Sequence, residues 1–417
     1  MLHLYLIPLI FAVIGLAFYT VLGGADFGAG FWQLTAGKGP QAQAVREHAH
    51  AAMAPVWEAN HVWLIFVLTV VWTAYPTAFG SIASTLSIPL FIAAVGIIFR
   101  GVAYALREGA TGPRELSAID TVFSISSVLT PFALGTAVGG IASGRVPVGN
   151  AAGSQFSSWL NPTSLLVGVL AVTTAAYLAA VFLCADATKL GDQGLEEQFR
   201  RRALGAGIVA GVIAVAGLGV IAGDADRIFH RLTTGAGLAG LVISLVAGVA
   251  TLALVWRRQY EPARYGAAAA VAAIIAGWAL AQSPLFLPGL TIEAAAAPRT
   301  TLIAVTVAVL GGAVILFPSL ALLFRLVLSG RLAEGGESVD VRPTPRLVRA
   351  SRQGLLARAA LTCLIAGIGL LTAAEAAWAH ALGVVSLFGF VALGFPAALP
   401  PTVGLHTKPS AKEASGH

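Results

Sequence analysis

Residues 56–74 read Val-Trp-Glu-Ala-Asn-His-Val-Trp-Leu-Ile-Phe-Val-Leu-Thr-Val-Val-Trp-Thr-Ala, an apolar run with a carboxylate, Glu58, and an imidazole, His61, in its opening turns. A helix rises 1.5 Å per residue, so ~20 residues cross a hydrocarbon core about 30 Å thick. The run is long enough to span a membrane, and its ionisable residues are then out of place. An ionised side chain at the centre of a bilayer costs about 2.5–3.5 kcal/mol on insertion scales, so such groups persist where they face a bundle interior, a partner or a water-filled path.

The rest of the chain has the same character. Of 417 residues, 57% are hydrophobic and 11% charged, against about 25% charged in soluble domains. Nine spans follow from the apolar runs: about 6–31, 56–74, 77–106, 117–142, 159–184, 203–222, 235–256, 263–281 and 300–328. A tenth is expected at about 355–378. Residues 381–399 are long enough for an eleventh, but Gly383, Gly389, Gly394 and Pro396 interrupt them, so a span and an interfacial helix both remain open. The sequence predicts an all-α polytopic membrane protein of 9 to 11 transmembrane helices.

Charge distribution predicts its orientation. Loops after the odd-numbered spans hold sixteen Lys and Arg, including Lys38, Arg46, Arg107, Arg200, Arg201, Arg202, Arg257 and Arg258. The N-terminal segment and the alternate loops hold four: Arg145, Arg227, Arg231 and Arg299. Short basic loops stay on the cytoplasmic side, which puts the N-terminus outside. The net charge of +6 is thus a topology signal with affinity for anionic lipid, and nucleic acid is not expected as a partner. Residues 1–8 carry no basic n-region, so the first run reads as a retained span rather than a cleaved signal peptide. Trp32, Trp57, Trp63, Trp72, Trp159 and Trp256 fall near span ends, where amphipathic rings prefer to sit. Cys184 and Cys363 lie in separate spans and imply no disulfide framework.

A polar insert rich in Arg, Glu and Pro, residues 329–354, reads as a cytoplasmic linker. It separates a nine-span body, 1–328, from extra C-terminal transmembrane or interfacial helices at 355–400, and residues 401–417 read as a disordered tail. Tyr19 before Asp26 and Tyr177 before Asp186 form a faint internal repeat, suited to bundle one at about 1–145 and bundle two at about 156–328. Asp224 and Asp226 begin a loop on the N-terminal side and read as solvated.

Helical rise places the membrane charges at one depth. Asp26 precedes the end of span one by about five residues, Glu58 and His61 begin span two, Arg100 lies about six residues inside the end of span three, and Asp120 begins span four. Glu58 and His61, three apart, share a helix face, with Asn60 beside them. Two readings fit: a proton-entry site, which needs groups that exchange protons near working pH, or an Arg100 ion pair with Asp26 or Glu58 that locks the helices. His61 is the one histidine within the nine spans, with His380 and Met53 outside them, so no haem is expected on this chain alone. Metal and phosphate-loop motifs are absent from the spans, which argues against metal catalysis and nucleotide-driven transport.

Four stretches resemble subunit II of the cytochrome bd-type quinol oxidases: Gly24-Ala25-Asp26-Phe27-Gly28-Ala29-Gly30; residues 54–64 around Trp57-Glu58-Ala59-Asn60-His61-Val62-Trp63; Phe99-Arg100-Gly101-Val102-Ala103-Tyr104; and, more weakly, Ser283-Pro284 through Leu287-Pro288 to Ala297-Pro298. The resemblance covers roughly residues 1–328. It implies two four-helix bundles plus a peripheral helix, paired with a haem-bearing subunit I that carries haems b and d, oxidises quinol and reduces dioxygen to water. It further implies a proton pathway at Asp26, Glu58 and Arg100, with Trp57, Asn60, His61, Trp63 and Asp120 in pathway or packing roles. A structural quinone occurs in some members, and a small accessory subunit is compatible with the family. Glu58 stands where the family usually has Asp, Ala59 where it has Gly, His61 where an acid or Gln is common, and Ala105 where an acid often follows. The C-terminal extension is also atypical. The expectation is a haem-free subunit II in a bacterial or archaeal cell membrane, against a secondary transporter or a purely structural assembly subunit.

Overall fold

A computed structural model of the chain describes residues 3–53, 57–107, 109–110, 112–328, 352–373 and 376–398. The side chains of Trp57 and Glu58 lie outside those described, as do residues 329–351 of the linker expected at 329–354 and the tail expected at 401–417. The chain divides into two units, residues 1–324 and 325–417.

The first unit begins with one long rod, Leu4–Leu34. It contains α1 (Ile7–Phe18), a π turn (Tyr19–Gly23) and α2 (Gly24–Leu34). A π turn widens the helix by one residue and is frequent at functional sites; here it ends three residues before Asp26. Next comes α3 (Pro40–Met53), a polar helix that the apolar-run reading treated as a loop. The quoted sequence forms α4 (Trp57–Ala74). The predicted third span breaks at Leu86 into α5 (Pro76–Thr85) and α6 (Ser87–Arg107), and α7 (Pro113–Ala142) completes the first half.

In the second half, α8 (Pro162–Lys189) starts where Asn161 accepts a hydrogen bond from Ser164 N at 2.9 Å, with Pro162 at the first helical position. Helix α9 (Gln193–Asp224) starts likewise, Asp192 accepting from Leu195 N at 2.9 Å. Then follow α10 (Asp226–Thr233), α11 (Leu238–Trp256) and α12 (Tyr260–Gln282). A small antiparallel hairpin, β1 (Leu285–Leu287) and β2 (Leu290–Thr291), leads through α13 (Ile292–Ala295) into α14 (Arg299–Leu328).

Eight of these rods are long and apolar enough to cross a membrane, and α4 supplies a shorter apolar helix, Asn60–Ala74. The chain is an all-helical membrane protein.

Helix α1 packs on α4, α2 on α7 and α8, and α6 on α7; α8 packs on α9 and α12, and α11 on α12. The α2–α8 contact joins the halves and depends on Gly28, where an added Cβ would lie 1.9 Å from Ala175 O. Small residues permit such approach in lipid, where apolar burial no longer drives association. The joining core is rich in small side chains, with Ala25, Ala29, Ala179, Ala180 and Cys184 all buried. Helix α14 is peripheral: Val307, Leu310 and Val314 are 63%, 53% and 72% exposed, as expected of a rod facing lipid.

In the second unit, α15 (Arg352–Ala373) and α16 (Ala377–Ala398) pack as a helical hairpin. The interrupting glycines of residues 381–399 do not break α16; Gly389 instead gives room to Cys363 Sγ, 3.2 Å from where a Cβ would stand.

Candidate functional site

Arg100, on α6, is the largest fully buried side chain among the described residues, and it reaches across to α2. Its Nη2 donates to Asp26 Oδ1 at 2.5 Å and to Asp26 O at 3.2 Å, while Nη1 donates to Ser127 Oγ on α7 at 3.1 Å. The guanidinium lies between two rings, 5.0 Å from the Phe27 centroid and 4.5 Å from that of Phe123. Such stacking contributes about 0.5–2 kcal/mol, more when desolvated. Arg100 and Asp26 are 1% and 0% exposed, so the ion pair is sealed from solvent and from lipid.

The pair is incompletely satisfied. Asp26 Oδ2 and Arg100 Nε have no hydrogen-bond partner among the described residues. Asn60 lies beside the carboxyl, but its amide donates to Leu22 O at 3.3 Å, inside the π turn, rather than meeting Oδ2 in hydrogen-bond geometry. The buried Tyr19 hydroxyl and both His61 ring nitrogens also lack described partners. Their rings form one group with Phe27: His61 stands 6.1 Å from Tyr19 and 5.9 Å from Phe27 by centroids. Most buried polar groups in proteins are paired. Asp26, Tyr19, His61 and Arg100 thus leave polar atoms without described partners on neighbouring side chains.

Trp63 stacks on Phe18 at 4.6 Å and packs against the cluster of Tyr19, Phe27 and Ala175. The backbone of α4 places residue 58 at the helix start, two positions before buried Asn60. Asp120 does not join Arg100: it pairs with Arg107 at 3.2 Å, nearer the helix ends. Asp120 thus lies at another level than the sequence reading gave it, seven residues, about two turns, from the Ser127 that meets Arg100 on α7. Arg107 and Asp120 line a cavity of about 450 Å³ together with Gln33, Arg46, Ser117 and Thr121.

Several contributors escaped the sequence reading. Ser127 gave no sign beyond being a hydroxyl in a span, and Phe27 and Phe123 resembled ordinary apolar filling. The faint Tyr–Asp repeat has a physical counterpart. Arg264 pairs with Asp186, donates to Phe182 O at 2.8 Å and lies 5.2 Å from the Phe182 ring. The second pair is open, however, with Asp186 at 30% side-chain exposure. Asp224 corrects the solvated reading: it accepts from Arg145 at 2.6 and 3.0 Å and from Thr163 N at 3.0 Å. Asp226 has a side chain 74% exposed and lies 3.2 Å from His230.

No group of three or more His, Cys, Asp or Glu among the described residues is placed to hold a metal ion.

Comparison with known proteins places this arrangement. The chain is 29% identical over 124 residues to the cytochrome bd ubiquinol oxidase subunit 2 of Bacillus subtilis, covering 30% of this chain and 36% of that one. It is 26% identical over 165 residues to the cytochrome bd-I ubiquinol oxidase subunit 2 of Escherichia coli K12, covering 37% and 41%. The aligned stretches thus span about two-fifths or less of those relatives' length. The solved bd oxidase from Geobacillus thermodenitrificans has a chain superposing with a TM-score of 0.63 at 26% identity, over 78% of this chain and 99% of that one. Residues 4–327 match the family described as cytochrome bd terminal oxidase subunit II, and the chain belongs to that family.

Proposed function

We propose that this chain is the haem-free subunit II of a bd-type quinol oxidase, supporting a haem-bearing subunit I and carrying protons inward from the cytoplasmic side through Asp26, Glu58 and Arg100. Family membership supports the complex; the sealed Arg100–Asp26 pair, with one carboxylate oxygen unpartnered, is the single observation that carries the pathway. Reduction of dioxygen to water consumes protons, and the partner's haems would supply its electron chemistry. This chain's own task is to hold an exchangeable site below the membrane surface without letting ions through.

The geometry suits that task. Arg100 holds Oδ1, the Phe27 and Phe123 rings flank the guanidinium, and Oδ2 is left without a described partner, with Asn60 beside the carboxyl. A carboxyl held in fixed geometry, with one oxygen free of described protein partners, is a group that positioned proton transfer can use. Glu58 would relay between this centre and the basic end of the bundle. With the basic loops cytoplasmic, the N-terminus lies outside.

Glu58→Gln in the assembled complex is expected to lower quinol-driven oxygen consumption while the haem content stays intact. Unchanged turnover across pH would remove Glu58 from the relay, and lost haem would make its role structural. A secondary transporter would function without a red, haem-bearing companion, so co-purification of such a subunit separates the two readings.

A further inference from the structure

The cavity of about 450 Å³ at the basic end of the first half is built from four helices and is not consumed by the Arg100–Asp26 centre. Arg46 comes from α3, Arg107 from the end of α6, Gln33 from the end of α2, and Ser117 and Asp120 from α7. Hydrogen-bond donors dominate its lining. Arg107 Nε stands 3.2 Å from Asp120 Oδ1, leaving its terminal NH2 groups without a described acceptor. Arg46 donates from one nitrogen to Gly37 O, which orients the rest of its guanidinium.

Gln33 is the independent indication. It is 4% exposed, and its Nε2 amide lacks an acceptor among the described residues. An unpaired buried amide costs about 1–3 kcal/mol, so the site is short of an oxygen. The charges make the same point: two guanidiniums face one carboxylate in the lining, a surplus of one positive charge. A phosphodiester supplies one negative charge and acceptor oxygens that suit guanidinium forks. Leu34 and Leu116 belong to the wall, and Leu34 is 48% exposed, an apolar edge against which an acyl chain can lie. Basic pockets between membrane helices bind lipid head groups on this physical basis.

We propose that this cavity seats the phosphodiester of an anionic glycerophospholipid, held by Arg46, Arg107 and the Gln33 amide. The phosphate fills only part of the volume and leaves water beside Asp120. The inference requires only that the chain spans a membrane, and is independent of the proton-pathway reading.

The test uses the protein purified from membranes with its associated subunits, stripped of loosely held lipid and placed in phosphatidylcholine nanodiscs with or without phosphatidylglycerol. Phosphatidylglycerol is expected to raise the melting midpoint and to remain bound in native mass spectrometry. Arg46→Gln and Gln33→Met are expected to weaken its retention by about 10-fold each, the loss of one charge-assisted or buried hydrogen bond. Arg201→Gln, at a side chain 78% exposed in the second half, is expected to retain it fully. Equal retention in all three variants overturns the proposal, as does equal loss in Arg201→Gln, which would make the effect general surface attraction. Inorganic phosphate reproducing the stabilisation with no lipid retained would overturn it in favour of a free-anion site. If Arg46→Gln fails to assemble, Gln33→Met, which keeps side-chain volume and removes the donor, decides alone.

Discussion

Arg100 and Asp26, 74 positions apart in sequence, meet at 2.5 Å with both side chains essentially inaccessible, and the arginine also holds Asp26's own carbonyl. One side chain thereby ties α6 to α2 through a charged and a backbone contact, while Ser127 ties it to α7. A buried pair of this kind is costly to form and costlier to break, because removing one member strands the other in low dielectric.

Arg100→Met is therefore expected to destabilise the chain by about 3–5 kcal/mol. Arg100→Lys is not expected to rescue it, since an ammonium is a point charge and cannot serve Asp26 and Ser127 while lying flat between two rings. Thermal melting and yield of the membrane-extracted protein check both. A lysine variant with wild-type melting would show that charge alone suffices.

At the junction of the halves, Gly28→Ala is expected to be severe, because the new methyl would sit 1.9 Å from Ala175 O and 2.7 Å from Ala179 Cβ. The helices must separate or the variant fails to accumulate. Gly311→Ala, on peripheral α14 with nothing within 4 Å, is the control; there alanine should be neutral or stabilise by about 0.5–1 kcal/mol through helix propensity. Detergent melting curves for the two variants distinguish crowding from a general effect of glycine replacement.

On the opposite end of the bundle, Arg145 grips Asp224 through both terminal nitrogens, and Asp224 also receives Thr163 N. Hydrogen bonding to Asp224 raises the already high pKa of Arg145, so the arginine stays charged at any working pH. Asp224→Asn is expected to cost about 1–3 kcal/mol, within the range for a charge-assisted hydrogen bond, and to leave turnover per haem unchanged. A fall in turnover with unaltered melting would give this clasp a functional role not assigned to it here.

The common level of Asp26 and Arg100 was legible from helical rise, because each lies a countable distance from a span end. The level of Asp120 was not: it lies seven residues, about two turns, from the Ser127 that meets Arg100, and pairs with Arg107 instead. Nor does an apolar run announce the π turn at Tyr19–Gly23 between α1 and α2. Helix α3 escaped because its residues are polar and its fold depends on packing Val45 and Ala49 into the joining core, which no local periodicity announces. Asp224 read as solvated because its partner, Arg145, lies 79 residues away across a loop. The predicted third span ran through Leu86 because apolar composition continues across the break between α5 and α6.

The most direct test is steady-state quinol-driven oxygen consumption by the assembled complex carrying Asp26→Asn, measured across pH and normalised to haem. Asparagine keeps the size of the side chain and an oxygen for Arg100 but cannot exchange a proton. Turnover is expected to fall by about 10²-fold or more, the usual contribution of a positioned proton-transfer group, with the haem spectrum unaltered. Wild-type turnover with wild-type haem would contradict a proton route through Asp26, and loss of haem would leave the pair a structural clamp.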